Sequence, residues 1–265
     1  MATSPKRTVW ILALLALLAA VGVAALPALT QDQAYHRFAD TRPLGGLPNA
    51  WNVLSNAPFL AAGLLGLLTC WRRRELPGRA AWIVAFAGIA LVSVGSAWYH
   101  RTPSAGALVW DRLPMTIGFM GLLVAVLEPL LGARASRLLL APAVAIGLGS
   151  VAVWHWTGDL RPYVWVQFTP LLLIGATLVI GPLAPPHRRA LMAALGLYAI
   201  AKVFEMADAP LMAATAGTVS GHTLKHLAAG AACGALVALI RRPVSPPACK
   251  IQSGAQWRRN VTTTG

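Results

Sequence analysis

Three histidines, an aspartate and a serine stand out in an otherwise apolar chain, in the stretches Ser96-Ala-Trp-Tyr-His100, Asp111 and His222-Thr-Leu-Lys-His226. A bilayer penalises such side chains, by about 2.5–3.5 kcal/mol for a charge at mid-helix on insertion scales, so their grouping points to function. Three neutral imidazoles with a carboxylate nearby match a catalytic zinc site that keeps one coordination position open. Residues four apart share a helix face, which puts Ser96 one turn from His100 and pairs His222 with His226. Two histidines at that spacing can clasp one metal ion, as in helical zinc proteases. On this reading His100, His222 and His226 are the ligands. Asp111 is then a general base or an outer partner of the bound water, and Ser96 hydrogen-bonds the water or the developing oxyanion.

Each piece alone has a plainer reading. His100 follows Trp98 and Tyr99 as in an interfacial aromatic belt. Asp111 beside Arg112 suits an ion pair at a helix start, and Ser96 suits helix packing. What those readings leave unexplained is the common depth of all five.

That depth follows from the elements that carry them. The chain has 265 residues, 57% hydrophobic and only 11% charged, with mean hydropathy +0.63. A soluble domain carries roughly a quarter charged residues, so the composition is that of an integral membrane protein. Spanning helices need about 20 mostly apolar residues. Eight runs qualify: 9–29, 52–71, 80–100, 112–131, 138–156, 162–182, 190–208 and 219–240. The expected fold is all-α, a seven-helix core at 52–241 preceded by an extra N-terminal hydrophobic helix at 1–30. Lys6 and Arg7, the apolar run and Ala24-Ala25 fit either a signal peptide or a retained anchor. Residues 31–51 form an outer segment, and the polar, Pro-containing stretch 242–265 reads as a disordered cytoplasmic tail.

The net charge of +14 is spread as a topology signal and not as a nucleic-acid surface. Lys6, Arg7, Arg72, Arg73, Arg74, Arg79, Arg134, Arg137, Arg188, Arg189 and the tail fall on one side. Arg37, Arg42, Arg101 and Arg161 fall on the other. The positive-inside rule makes the first side cytoplasmic. Ser96, His100, Asp111, His222 and His226 then all lie in the outer half, as do Lys202, Glu205 and Asp208. Lys202 and Glu205, three apart, are expected to neutralise each other, and Asp208 could orient a ligand histidine. His36, His155 and His187 are assigned to no metal. Cys70, Cys233 and Cys249 have no paired spacing and support neither a disulfide framework nor a thiolate site.

These residues resemble the signature of the alkaline ceramidases, within a wider seven-helix hydrolase superfamily that includes the adiponectin receptors. The likeness rests on Ser96-x3-His100, on Asp111 eleven residues later, on His222-x3-His226, and on Trp51-Asn52-Val53-Leu54-Ser55-Asn56. It covers about 35–245. The resemblance implies seven helices, zinc held by His100, His222 and His226, catalytic roles for Ser96 and Asp111, and cleavage of a ceramide amide to fatty acid and sphingoid base. Eukaryotic members carry an acidic, calcium-binding cluster before the first core helix. Here Asn49 stands where they have Glu, and residues 35–40 lack their Asp-Trp-x-Glu run, which argues against a calcium site. The segment looks like the bacterial branch, which implies an inner-membrane location.

Two functional readings come from different classes. In the first, a zinc-dependent amidase takes a lipid from the outer half of the membrane, with its tails in a cleft where Gly63, Gly66, Gly118 and Gly121 leave room, although close helix packing is the plainer reading of any one of these glycines. In the second, a receptor or transporter keeps the metal for structure or proton handling, with Lys202, Glu205, Asp208 and Lys225 as a relay. Three protein ligands fit the open site of an enzyme, whereas a structural zinc is normally closed by four. No repeat with broken helices in matching halves supports the transporter. The sequence carries no signal for oligomeric state.

Overall fold

A computed structural model describes residues 4–181 and 183–242. The chain is all-α: α1 (Pro5–Ala25), a short 3-10 turn at Gln33–His36, then α2 (Ala50–Leu54), α3 (Ala57–Arg72), α4 (Arg79–Arg101) and α5 (Ala105–Leu131). It continues with α6 (Ala133–Thr157), α7 (Arg161–Ile180), α8 (Pro185–Met206), α9 (Asp208–Ala214) and α10 (Gly221–Arg241). Long Leu, Ala and Val runs take this form because a helix satisfies every backbone polar group within itself, as a bilayer demands. Among the described residues seven helices are long and apolar enough to cross a membrane, α1 and the joined Ala50–Arg72 among them. The pair α8 and α9 makes an eighth if it counts as one span, bent by 80°. The tail, past Arg242, lies outside the described residues.

The expected run at 52–71 is broken and the one at 190–208 ends at Met206, and proline accounts for both. A helical Pro has no N–H for the carbonyl four residues back, and its ring presses on that group. Pro58 addresses Leu54, where α2 stops, and Pro210 addresses Met206, where α8 stops. Each proline is tolerated in the first turn of the next helix instead. A third boundary moves the other way. The run starting at 112 is part of a helix that begins at Ala105, capped by the Ser104 side chain accepting from the Ala107 amide at 3.2 Å. Asp111 therefore lies in the second turn of α5 and not at its opening.

Close backbone approach between α3, α4 and α5 sets the depth of the site. A Cβ on Gly95 would stand 2.0 Å from the Trp110 carbonyl oxygen, so only glycine lets α4 and α5 meet there. The next residues in each helix are Ser96 and Asp111. Gly63, Gly66 and Gly121 turn out to serve the same purpose rather than to leave lipid space. A Cβ would meet Ala90 backbone at 2.6 Å, Phe86 at 2.2 Å and Ala85 backbone at 2.6 Å respectively. Gly118 alone of the four borders the cavity described below.

The helix α1 lies against α7 at the periphery, with Trp10 76% exposed. Arg161 donates to the Ala24 and Leu26 carbonyls at 3.1 and 2.8 Å, and the Trp165 indole donates to the Ala16 carbonyl at 3.3 Å.

Candidate functional site

The end of α4 and the start of α10 bring three imidazoles together. His100, His222 and His226 are 1%, 5% and 2% exposed, and one ligand nitrogen from each lies within 4.8 Å of the others. His100 Nε2 and His222 Nε2 are 3.2 Å apart. Zinc–nitrogen bonds of about 2.0–2.1 Å in a tetrahedron space neighbouring donors by about 3.3 Å, so this edge has the right length. His100 Nδ1 is buried with no hydrogen-bond partner. A metal ion fits this donor set, and the described residues offer no other group of three or more ligands.

The start of α10 is held by residues far away in sequence. The Ser220 hydroxyl caps it, accepting from Thr223 N at 3.1 Å. Asp208 at the α8–α9 bend accepts from His222 N at 2.7 Å and from Ala39 N at 2.9 Å. It thus orients a candidate ligand, as the sequence suggested, and does so through the backbone amide. A Cβ on Gly221 would stand 2.3 Å from the Phe204 carbonyl oxygen, so glycine is what lets this helix start reach the bend.

The break between α2 and α3 supplies support that sequence spacing did not reveal. Ser55 Oγ lies 2.8 Å from His226 Nδ1. That leaves Nε2 of His226 for a metal, and a metal there fixes Nδ1 as the donor to Ser55. Asn49, in the left-handed region at φ 47°, donates to the His100 carbonyl at 2.8 Å. Asn52 donates to the Asp40 carbonyl at 2.9 Å, and Asn56 donates to the Asn52 carbonyl at 2.8 Å. The polar residues of the 51–56 stretch are thus the joint between the segment that precedes them and the imidazoles. Loss of such an outer hydrogen bond typically costs about 10–100-fold in metal affinity. Ser55→Ala should show a fall of that order in a competitive zinc titration, and wild-type affinity would remove Ser55 from the site.

The segment 31–51 also closes over the cluster. Phe38 packs its ring 4.7 Å from the rings of both His100 and His222. Asp40 holds this segment by an ion pair to Arg42 at 2.6 Å, and Arg42 donates onward to the Thr218 carbonyl at 2.9 Å. The hydrogen bonds from Arg42 hold the Asp40 carboxyl below its usual range. His36 stays apart from the cluster, its Nδ1 2.9 Å from the Tyr99 hydroxyl.

Ser96 and Asp111 are buried where α4 and α5 touch, with the Ser96 side chain beside the Asp111 carboxyl. No ion pair among the described residues joins Asp111 to Arg112. Ser96, Asp111 and His226 border one cavity of about 300 Å³, whose remaining walls are mostly apolar, Phe119, Leu122, Ile174 and Leu236 among them. Lys225 and Glu205 border it too. Glu205 pairs with Lys202, as expected, but also with Lys225 at 3.0 Å. Lys225 Nζ in turn lies 3.4 Å from His222 Nε2, so the three charges reach the imidazole cluster.

The model of the ceramidase family matches residues 47–184. The chain belongs to the ceramidase family. Membership makes it a hydrolase of the lipid-amide class. The matched stretch contains Ser55, Ser96, His100 and Asp111, while His222 and His226 lie beyond it. No curated protein matches the chain.

Proposed function

We propose that this chain is a zinc-dependent hydrolase of ceramide or a ceramide-like lipid amide, releasing a fatty acid and a free amine. One observation carries the reading: three buried imidazoles converge beside a Ser96–Asp111 pair, and Asp111, Ser96 and His226 border a cavity that is otherwise mostly apolar. Zinc bound by His100, His222 and His226 would polarise the amide carbonyl and bring the pKa of a water down to about 7. The cavity takes the acyl chain and leaves the carbonyl near Asp111. Asp111 accepts a proton from the attacking water and delivers one to the amine nitrogen as the C–N bond breaks. Ser96 has a single hydroxyl proton. It can serve the neighbouring Asp111 carboxyl in the free site and turn to the oxyanion as charge develops there. Phe38 and the outer segment exclude bulk water, which strengthens each of these interactions.

The test is metal depletion. Protein stripped with a chelator should lose release of fatty acid from a short-chain ceramide, and added zinc should restore it. Full turnover without metal would remove the imidazoles from the chemistry. A matched ester run in parallel reports whether the amide is required.

The arginine distribution supports an inner-membrane protein with its site toward the outer face and its C-terminus in the cytoplasm. A cysteine beside Arg73 should then resist an impermeant outer label that reacts with one at Gly45. The reverse pattern would move the site to the cytoplasmic face.

A further inference from the structure

Arg112 has no part in the reaction above, yet it is 6% exposed and borders the same cavity as Ser96 and Asp111. Its guanidinium lies over the rings of Trp154, Tyr163 and Tyr35, with Cζ 4.1, 4.6 and 5.9 Å from their centroids. Nη2 donates to Gln31 Oε1 at 2.5 Å. Nη1 is buried with no hydrogen-bond partner, and no carboxylate among the described ion pairs answers the charge. Aromatic faces offset part of a cation's desolvation but leave its N–H edge unmet. A guanidinium kept this way within an apolar bundle marks a place where something else supplies the acceptor. Lys202 and Lys225 are poorer candidates for that ligand, because Glu205 already holds both.

We propose that Arg112 recognises an anionic oxygen on the amine side of the substrate, so that the preferred lipid amides carry a carboxylate or phosphate in their headgroup. This rests on the lipid-amide reading. The acyl chain lies along the apolar walls, and the carbonyl sits by Ser96 and Asp111. From α5, the Arg112 guanidinium reaches Trp154 near the end of α6 and Tyr163 near the start of α7, beside Gln31 and Tyr35 of the outer segment. The group beyond the amide nitrogen is the one that reaches it. Arginine suits the task because its planar, permanently charged fork pairs with carboxylate and phosphate oxygens alike.

The experiment measures binding to the full-length, metal-loaded protein in detergent, using ketomethylene analogues that cannot be cleaved. The analogues replace the amide N–H of N-lauroylglycine, N-lauroyl phosphoethanolamine and neutral N-lauroylethanolamine by CH2. Wild type should bind at least one anionic analogue about tenfold or more tighter than the neutral one, the scale of one charge-assisted hydrogen bond. Whichever anionic analogue binds tighter names the headgroup. Arg112→Gln should erase the preference, and Arg112→Lys should keep part of it.

Equal affinities in wild type overturn the proposal, as does a preference that survives in Arg112→Gln. Laurate binding tighter than dodecanol with no headgroup preference also overturns it, because Arg112 would then hold the product acid. If Arg112→Gln does not fold, the wild-type comparison and Arg112→Lys still decide. Binding of uncleaved analogues is independent of turnover. Failure of the hydrolase reading shows separately, as lack of cleavage of all three parent amides.

Discussion

Asp111→Asn should leave the metal bound and lower lipid-amide hydrolysis by about 10²–10⁴-fold, the usual contribution of a positioned general base. Asparagine keeps the size of the side chain and can still meet the Ser96 hydroxyl. It cannot accept a proton. Because Asp111 is no member of the imidazole cluster, zinc content should stay at the wild-type level. A purely structural Asp111 would give the opposite pattern, with near-normal turnover and reduced thermal stability. Its most obvious structural partner is ruled out, since Arg112 turns to Trp154 and Tyr163 and makes no ion pair with it. Ser96→Ala should fall between wild type and Asp111→Asn, because one lost oxyanion contact costs about 10²–10³ in rate. Both variants are measured on one short-chain ceramide, with zinc determined on the same preparations.

His222→Ala and His226→Ala should each take the protein from about one zinc per chain to almost none, since a three-histidine site has no spare ligand. His100→Ala should do the same, although it comes from a different helix. All three should abolish turnover. Elemental analysis of the purified variants is the check, and full occupancy in both α10 variants would dismiss the site. The loss should not come from collapse of α10. Its start is held by the Ser220 side chain and by Asp208 on a backbone amide, neither of which uses an imidazole.

The grouping of His100, His222 and His226 could be read from spacing, because i,i+4 pairs and the alternation of spanning helices fix which residues share a rim. The same logic put Ser96 with Asp111, although the helix start was misplaced by the turn that Ser104 caps. Hydropathy alone could not show that turn, which is where polar cap chemistry takes over from the apolar run. Ser55 and Phe38 were not legible as supports, and Asp208 was legible as a partner of a ligand histidine but not as the tie between that histidine and Ala39. Ser55 meets His226 across 171 residues, and Asp208 ties Ala39 to His222 across a bend that proline imposes. Nothing in a linear period reports such contacts. The glycines left two readings open for a related reason. A small residue on an apolar face fits a ligand cleft or a neighbouring backbone equally well, and only the tertiary approach of Ala90, Phe86 and Ala85 decides.

The most direct measurement follows the oxygen. Metal-loaded wild type is incubated with a short-chain ceramide in water labelled with heavy oxygen, and the released acid is weighed by mass spectrometry. The account predicts free amine and fatty acid in equal amounts with one heavy oxygen in each acid, no product when the metal is stripped, and about 10²–10⁴-fold slower labelled product when Asp111 is Asn. Intact lipid after prolonged incubation with zinc-loaded protein, or acid released without label, would contradict it.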